Sequence, residues 1–512
     1  MPCLLGVDVS TTGAKALLMD ENGAVLAETV HEYPLDMPHP LWSEQQPADW
    51  WRAVRAGIRA ALQKARLAGR DVAAVGLTGQ MHGLVMLDGA GSVLRPAILW
   101  NDQRTGPQCD EILDRVGGPA ALLRLTGNAV LPGFTAPKIL WVRNHEPEIF
   151  RRTAHILLPK DYIRFCLTGE YATEVSDASG TLLLDVERRR WSASMLQALE
   201  IPESWLPRCT ESPEVSGSVS PEAAAETGLL AGTPIVGGAG DQAAQAVGSG
   251  VVQAGILSVT CGTSGVVFAH ADRFASEPGG RLHAFCHAVP GKWHLMGVML
   301  SAGGSFRWFR DALGEPERSA AESRGEDPYE ALTRAAAGAP AGSQGLIFLP
   351  YLSGERTPYP DPRARGAFIG LTVRHRKSHM VRAVLEGVSY GLRDCLELIR
   401  NLDVPIDQVR ASGGGARSRL WRQILADVFA RDLAMVNVTE GAAYGAALLA
   451  GVGGGVFSTV AAAVARAVRV IDKVAPIPLH VERYRQDFEI YRSLYPALSQ
   501  AFRALSYDSG ES

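Results

Sequence analysis

With 512 residues the chain is too long for one ordinary core, and two domains are expected. Its composition is globular (46% hydrophobic, 20% charged), and a net charge of −4 without a basic block argues against nucleic acid and anionic membrane as partners. Seven cysteines at irregular spacing form neither a disulfide framework nor a zinc motif, which fits a reducing cytoplasm. The chain reaches a strand-like run at Leu4 without a basic region and apolar core, so no secretion signal is read.

In chain order, the first thirty residues read as a strand meander. An apolar strand over 4–8 ends in Asp8, Ser10-Thr11-Thr12-Gly13 makes a turn, and strands over 14–19 and 24–30 flank a hairpin turn at 21–23. A helix over about 47–67 follows, then a short strand over 72–77 running into Thr78-Gly79-Gln80-Met81-His82-Gly83. Mixed helices and loops fill about 100–230 and are expected to supply substrate-specific walls. Trp50, Trp51, Trp100 and Trp141 read as core or wall, and Arg188-Arg189-Arg190 as a solvated turn. A second strand–turn–strand unit spans 256–269 around Cys261-Gly262-Thr263-Ser264-Gly265. Two such units suggest a duplicated α/β domain with a boundary near 245–255. Ser412-Gly413-Gly414-Gly415-Ala416-Arg417-Ser418 links a strand over 408–411 to a helix over 420–429. The uncharged stretch 441–465 is rich in small residues and broken by Gly453-Gly454-Gly455; it reads as two buried helices rather than a membrane span. Tyr484, Phe488, Tyr491 and Tyr495 recur at helical spacing and predict a docked amphipathic helix, with a loose tail at 509–512.

Phosphoryl transfer needs N–H groups and hydroxyls around phosphates, a carboxylate for Mg²⁺ and a base for the attacking oxygen. The chain has no GxxxxGK[ST] motif, so the P-loop solution is excluded. Either turn, at 10–13 or 262–265, is by itself an ordinary hairpin; the pair, with Asp8 before the first, points to phosphate binding. Asp241 lies in Val236-Gly237-Gly238-Ala239-Gly240-Asp241-Gln242-Ala243-Ala244, which also reads as a G-x-G-x-x-A dinucleotide fingerprint. No Asp or Glu occurs between Gln242 and Ala271, so the acid that would bind the ribose is missing. Asp241 as N-cap of a helix over 242–247 is the bland alternative, and it is compatible with a catalytic role. The glycine run at 412–418 is either a tight turn or a seat for a flat ring or phosphate. His82, at a strand end between glycines, is a candidate donor to a polyol.

These pieces together resemble the FGGY carbohydrate kinases of the actin-like ATPase superfamily, over about residues 3–455 and to about 500 with the terminal helix. GFTAPKILWVRNH (133–145) is similar to the family's first signature and GAFIGLTVRHRKSHMVRAVLE (366–386) to its second. Within the family, PHPLWSEQQP (38–47), GQMHG (79–83), LRPAILWNDQR (94–104), LLPKDY (157–162) and FLPYLSGERTP (348–358) resemble the xylulokinase branch. Met81-His82 stands where glycerol kinases have Arg-Glu.

The resemblance implies an α/β fold of two actin-like ATPase (ribonuclease-H-like) domains with an interdomain cleft. A sugar-binding domain would cover 1–247, with an insertion at about 100–230, a nucleotide-binding domain 248–485, and a C-terminal helix and tail 486–512. It implies transfer of phosphate from ATP, with Mg²⁺, to the C5 hydroxyl of D-xylulose. Asp241 would be the base and Asp8 the catalytic carboxylate associated with the metal. Met81, His82, Asp241 and Gln242 would hold the sugar. Thr11, Thr12, Lys15 and Thr263 would serve the phosphates, and Gly303, Arg307, Gly414, Gly415 and Ser418 the nucleotide. Three positions depart from the family pattern: Ser10 for a glycine, Cys261 for an apolar residue, and Gln242 for the asparagine of many xylulokinases. The competing readings are a kinase for ribulose, arabitol or gluconate, and a non-enzymatic actin-like ATP switch or sugar sensor. A homodimer is a family-level expectation.

Overall fold

The computed structural model describes residues 2–506; the expected loose tail at 509–512 lies outside them. The chain builds two compact units. Met1–Gln253, His270–His294 and Val438–Arg469 form the first, and Ala254–Ala269, Leu295–Asn437 and Val470–Ser512 the second. The chain first passes from one unit to the other between Gln253 and Ala254, and 270–294 and 438–469 also belong to the first unit.

The first unit is organised by a mixed sheet ordered Val215–Ser218, Pro234–Val236, Val72–Gly79, Cys3–Val9, Gly13–Met19, Val25–Glu32, with Ala239–Gly240 also paired to Val72–Gly79. Cys3–Val9 runs antiparallel to Gly13–Met19 and parallel to Val72–Gly79. It is apolar almost throughout because helices cover both of its faces. Leu5, Val7 and Val9 pack with Trp50, Val54, Ile58 and Leu62 of the helix Pro47–Ala65, whose apolar residues recur at helical spacing. Alternate residues face the helix Ala442–Gly453, which packs on Leu4.

The uncharged stretch 441–465 is therefore core: a helix Ala442–Gly453, a glycine break and a second helix Val460–Ala467. Its small residues permit unusually close approach. A Cβ added at Gly6 would lie 1.9 Å from the Ala443 carbonyl oxygen, and one at Gly76 2.0 Å from that of Ala446. No helix among the described residues is long and apolar enough to cross a membrane.

The second unit repeats the plan. Gly255–Cys261 is antiparallel to Gly265–Ala271 and parallel to Ile406–Ser412, within the strand order Trp293–Met299, Gly265–Ala271, Gly255–Cys261, Ile406–Ser412, Leu433–Val436, Val470–Val474. The expected aromatic stripe lies on the helix Pro478–Leu505, with Tyr484, Phe488 and Tyr491 buried. The second signature has a bracing role here. Arg382 and Glu386, on the helix Lys377–Arg400, bind the Tyr484 hydroxyl at 2.9 and 2.7 Å.

Candidate active site

Three turns of the first unit leave neighbouring strands at the same edge. Asp8 pairs in register with Thr78 on the parallel strand Val72–Gly79 and with Lys15 on the antiparallel strand. Gly240 pairs with Gly79, so the 10–13, 80–83 and 237–241 turns emerge together at the C-terminal ends of Cys3–Val9, Val72–Gly79 and Ala239–Gly240. Ligand sites in open α/β sheets gather at such strand ends. Asp8, Thr11, Thr12, Met81, His82, Asp241 and Gln242 are thereby brought to one edge, with Lys15 on the adjoining strand. Ser10, the departure from glycine, closes its own turn: its N–H and Oγ both donate to the Gly13 carbonyl, at 3.0 and 2.8 Å.

Asp241 is the first residue of the helix Asp241–Gly248, and Gly240, not Asp241, occupies the N-cap position. The alternative reading of Asp241 as the N-cap residue is therefore not met. Asp241 Oδ1 accepts the Gln242 N–H at 2.7 Å, and the Gln242 side chain also hydrogen-bonds the carboxylate. Burial pushes the Asp241 carboxyl up to about 6, with the Gln242 contacts opposing. Asp8 is pushed up to about 7, first by burial and then by the negative field of Asp241, against the pull of Lys15. Its Oδ1 is buried without a hydrogen-bond partner.

Two carboxylates sharing a low-dielectric edge, one with an orphaned oxygen, suit a divalent cation. Among the described residues no group of three or more His, Cys, Asp or Glu side chains forms a metal cage. Mg²⁺ does not need one, because it binds through one or two carboxylates together with phosphate oxygens and water.

The 80–83 turn is held from several directions. His82 adopts a left-handed conformation, φ 67°, that costs a side-chain-bearing residue free energy unless its surroundings enforce it. Its Nδ1 contacts the Gly180 carbonyl at 2.6 Å, so that nitrogen carries the hydrogen. Its carbonyl accepts from Thr135 Oγ1 at 3.0 Å and from Lys138 Nζ at 2.8 Å. Lys138 also donates to the Gly133 carbonyl at 2.6 Å. Burial lowers the Lys138 ammonium to about 7. Gly180 is needed for contact, since a Cβ there would lie 2.6 Å from His82 Nδ1. Met81 is buried and seated on Gly240, where a Cβ would come within 2.8 Å of its Sδ.

Behind the Asp241 turn lies a fully buried charged cluster. Lys160 Nζ is 2.6 Å from Asp161, 3.5 Å from Asp177 and 3.8 Å from Glu174. Burial drives the Asp177 carboxyl well up, with Lys160 opposing and the neighbouring carboxylates, Asp241 among them, adding to the rise. Ser176 Oγ accepts the Gly240 N–H at 3.1 Å, joining this segment to the Asp241 turn.

The second unit assembles the nucleotide-side candidates. The 262–264 turn docks on the start of the helix Gly303–Ala312: Gly303 N–H donates to the Gly262 carbonyl at 2.8 Å and Gly304 N–H to that of Thr263 at 2.9 Å. Arg307 Nη2 reaches Thr263 Oγ1 at 3.3 Å. Gly303 has no room for a side chain, because a Cβ would sit 2.5 Å from the Gly262 carbonyl oxygen. On the parallel neighbour, Gly413 takes φ 82° and Gly415 packs on Cys261, where a Cβ would lie 2.7 Å from the cysteine Cβ. The small thiol at Cys261 thus suits the close approach of Gly415. Gly414 is exposed with open space beside it, and Ser418 caps the helix Arg419–Phe429 through the Trp421 N–H at 3.2 Å.

Thr263, Gly303, Arg307, Gly414, Gly415 and Ser418 thus share the second unit, and the remaining candidates share the first. Sequence reasoning gave no role to Lys138, Gly180, Ser176 or Gln80. Lys138 and Gln80 stand inside quoted motifs, which was the available signal; Gly180 and Ser176 carried none. Trp50 and Trp141 are buried as expected, whereas Trp100 is 40% exposed and donates to Thr11 Oγ1 at 2.9 Å. The arginine run is not wholly solvated either: Arg189 forms a two-bond pair with Glu211, at 2.7 and 2.6 Å.

The model of the N-terminal domain of the FGGY family of carbohydrate kinases matches residues 3–248, and that of the C-terminal domain matches 257–454. The xylulose kinase of Escherichia coli K12 is 45% identical over 447 residues, covering 87% of this chain and 89% of that protein. The crystal structure of a xylulose kinase from Rhodospirillum rubrum superposes with a TM-score of 0.90 at 32% identity, covering 98% of this chain and all of that one. A gluconate kinase structure from Lactobacillus acidophilus gives 0.92 at 28% identity, covering 99% of this chain and all of that one. The chain, with its two α/β units, belongs to the FGGY family of carbohydrate kinases.

Proposed function

We propose that this enzyme transfers the γ-phosphoryl group of MgATP to the C5 hydroxyl of D-xylulose, giving D-xylulose 5-phosphate and ADP. The observation that carries the reading is the Asp241 carboxylate, raised to about 6 yet still ionised at neutral pH, on the strand edge shared with Met81-His82 and Asp8. The identity to xylulose kinases supports the choice of sugar.

In this mechanism an Asp241 oxygen takes the hydroxyl proton as the sugar oxygen forms its bond to the γ-phosphorus. The bond from that phosphorus to the β–γ bridging oxygen breaks, and ADP leaves with the electron pair. Gln242 holds Asp241 through its N–H and amide, while Met81 and His82 orient the sugar. Asp8 would hold Mg²⁺, which when bound neutralises charge on the phosphates. The backbone N–H groups of Thr11 and Thr12, with the Thr12 hydroxyl and Lys15, would serve the phosphates in the first unit. In the second unit, Thr263, Gly303, Arg307, Gly414, Gly415 and Ser418 would form the nucleotide seat. Seven free cysteines support a reducing, cytoplasmic setting, and a homodimer is expected by family resemblance.

The test is an ADP-release assay with product identification across D-xylulose, D-ribulose, D-arabitol and D-gluconate. D-xylulose giving the highest kcat/KM supports the proposal. A higher value for any other member overturns the choice of sugar, and ADP release without a phosphosugar overturns the kinase mechanism.

A further inference from the structure

Between the sugar turn and the phosphate turn runs a chain of hydrogen bonds whose polarity is fixed at both ends by indole N–H groups, which can only donate. Trp50 Nε1 donates to Gln45 Oε1 at 3.0 Å. That orientation turns the Gln45 amide nitrogen to the Thr11 carbonyl, at 2.7 Å. Gln45 Oε1 then accepts Gln80 Nε2 at 3.0 Å, which leaves Gln80 Oε1 facing the Thr11 hydroxyl at 3.3 Å. At the other end Trp100 Nε1 donates to Thr11 Oγ1 at 2.9 Å. Gln45 and Gln80 are 1% and 3% exposed, so neither amide can exchange its partners for water without a penalty.

A threonine hydroxyl has one hydrogen, and here Gln80 takes it. Thr11 Oγ1 therefore has no hydrogen to give a phosphate oxygen while the chain is intact. Gln80 is the residue directly before Met81-His82, and its own N–H is tied to the Val9 carbonyl at 2.9 Å, at the root of the phosphate turn. We infer that Gln80 is a positioning residue that couples the sugar turn to the phosphate turn by contesting the single hydroxyl hydrogen of Thr11. Movement of the 80–83 turn around a sugar shifts Gln80 and releases that hydrogen toward a phosphate oxygen. Nucleotide binding, by drawing the hydrogen away, favours the same shift from the other side.

The inference rests on the kinase reading above and extends it to a thermodynamic consequence. Coupling between two ligands is reciprocal, and the same factor must appear whichever binds first. Its measure is the affinity for Mg²⁺ with a non-hydrolysable ATP analogue, determined by calorimetry with and without saturating D-xylulose. The wild-type enzyme is expected to bind the analogue about fivefold or more tightly with sugar present. Gln80→Met, close in size but unable to hydrogen-bond, should reduce that factor to below about twofold. Should Gln80→Met fail to fold by circular dichroism, Thr11→Val severs the same link from its half-exposed end and should lose the coupling equally. A wild-type factor near one, or full coupling in folded Gln80→Met or Thr11→Val, overturns the inference. If the sugar panel selects another substrate, the choice of D-xylulose fails separately. The factor is then measured with the selected sugar, because the hydrogen-bond chain makes no reference to which sugar binds.

Discussion

Asp8 lies within the negative field of Asp241: burial, and after it that field, holds the Asp8 carboxyl up at about 7, while burial holds Asp241 itself at about 6. A base must be ionised to accept a proton. With MgATP saturating, so that the metal holds Asp8 ionised, kcat/KM for sugar is expected to fall about tenfold per pH unit below an acid limb near 6, set by Asp241. Asp241→Asn removes the acceptor and should reduce turnover by about 10² to 10⁴. A pH–rate profile and single-turnover measurements check both, and retention of more than about a tenth of wild-type turnover would reject Asp241 as the base.

Asp8 also makes a prediction about stability. Its folded value lies above the unfolded 3.8, so its contribution is fully present below that pH and is lost as pH rises through about 7. At pH 8 the ligand-free protein holds an ionised, partly exposed carboxylate against Asp241. Asp8→Asn should stabilise the ligand-free protein by about 1 kcal/mol at pH 8, with a smaller gain at pH 5, and should abolish most activity. Denaturant midpoints at the two pH values decide the matter, and a gain equal at both would contradict the assigned electrostatics.

Lys138 is expected to govern sugar affinity without touching the sugar. Lys138→Met leaves the His82 and Gly133 carbonyls without their shared donor and loosens a left-handed turn. Thr135 Oγ1 still serves the His82 carbonyl, so the loss falls on the Gly133 carbonyl, and about 1–3 kcal/mol for that group corresponds to a rise in sugar KM of about 5- to 150-fold. The KM for ATP should change much less. Steady-state kinetics with each substrate varied in turn separates the two, and equal rises in both would point to general destabilisation.

Gly445 is expected to be intolerant of a methyl group. A Cβ there would lie 1.8 Å from the Ala244 carbonyl oxygen and 3.0 Å from the Gly248 nitrogen, both backbone atoms of the helix that begins with Asp241. Gly445→Ala should cost about 2 kcal/mol or more and lower kcat by displacing that helix. Gly106→Ala, with nothing within 4 Å, serves as the tolerated comparison. Equal denaturant midpoints for the two variants would refute the close packing.

Short-range chemistry made much of this enzyme legible from its residues alone. Strand–turn–strand units at 4–19 and 256–269, the carboxylate ending the first strand, and the glycine turns before Asp241 and after Ser412 are local patterns, and local patterns can be read locally. The aromatic stripe from Tyr484 and the uncharged 441–465 segment were legible for the same reason, since helical spacing and missing charge report burial.

Other features needed the folded chain, because they join residues far apart in sequence. Periodicity does not show that Gly180 meets the His82 ring or that Lys138 supports its carbonyl. Nor does it show that the Ala442–Gly453 helix returns to the first unit, a placement fixed by carbonyl-to-glycine contacts at Gly6, Gly76 and Gly445. The electrostatics of Asp8 and Asp241 are likewise tertiary. A carboxylate's charge is written in its residue type, but its acidity is set by desolvation and by which other charges the fold brings beside it.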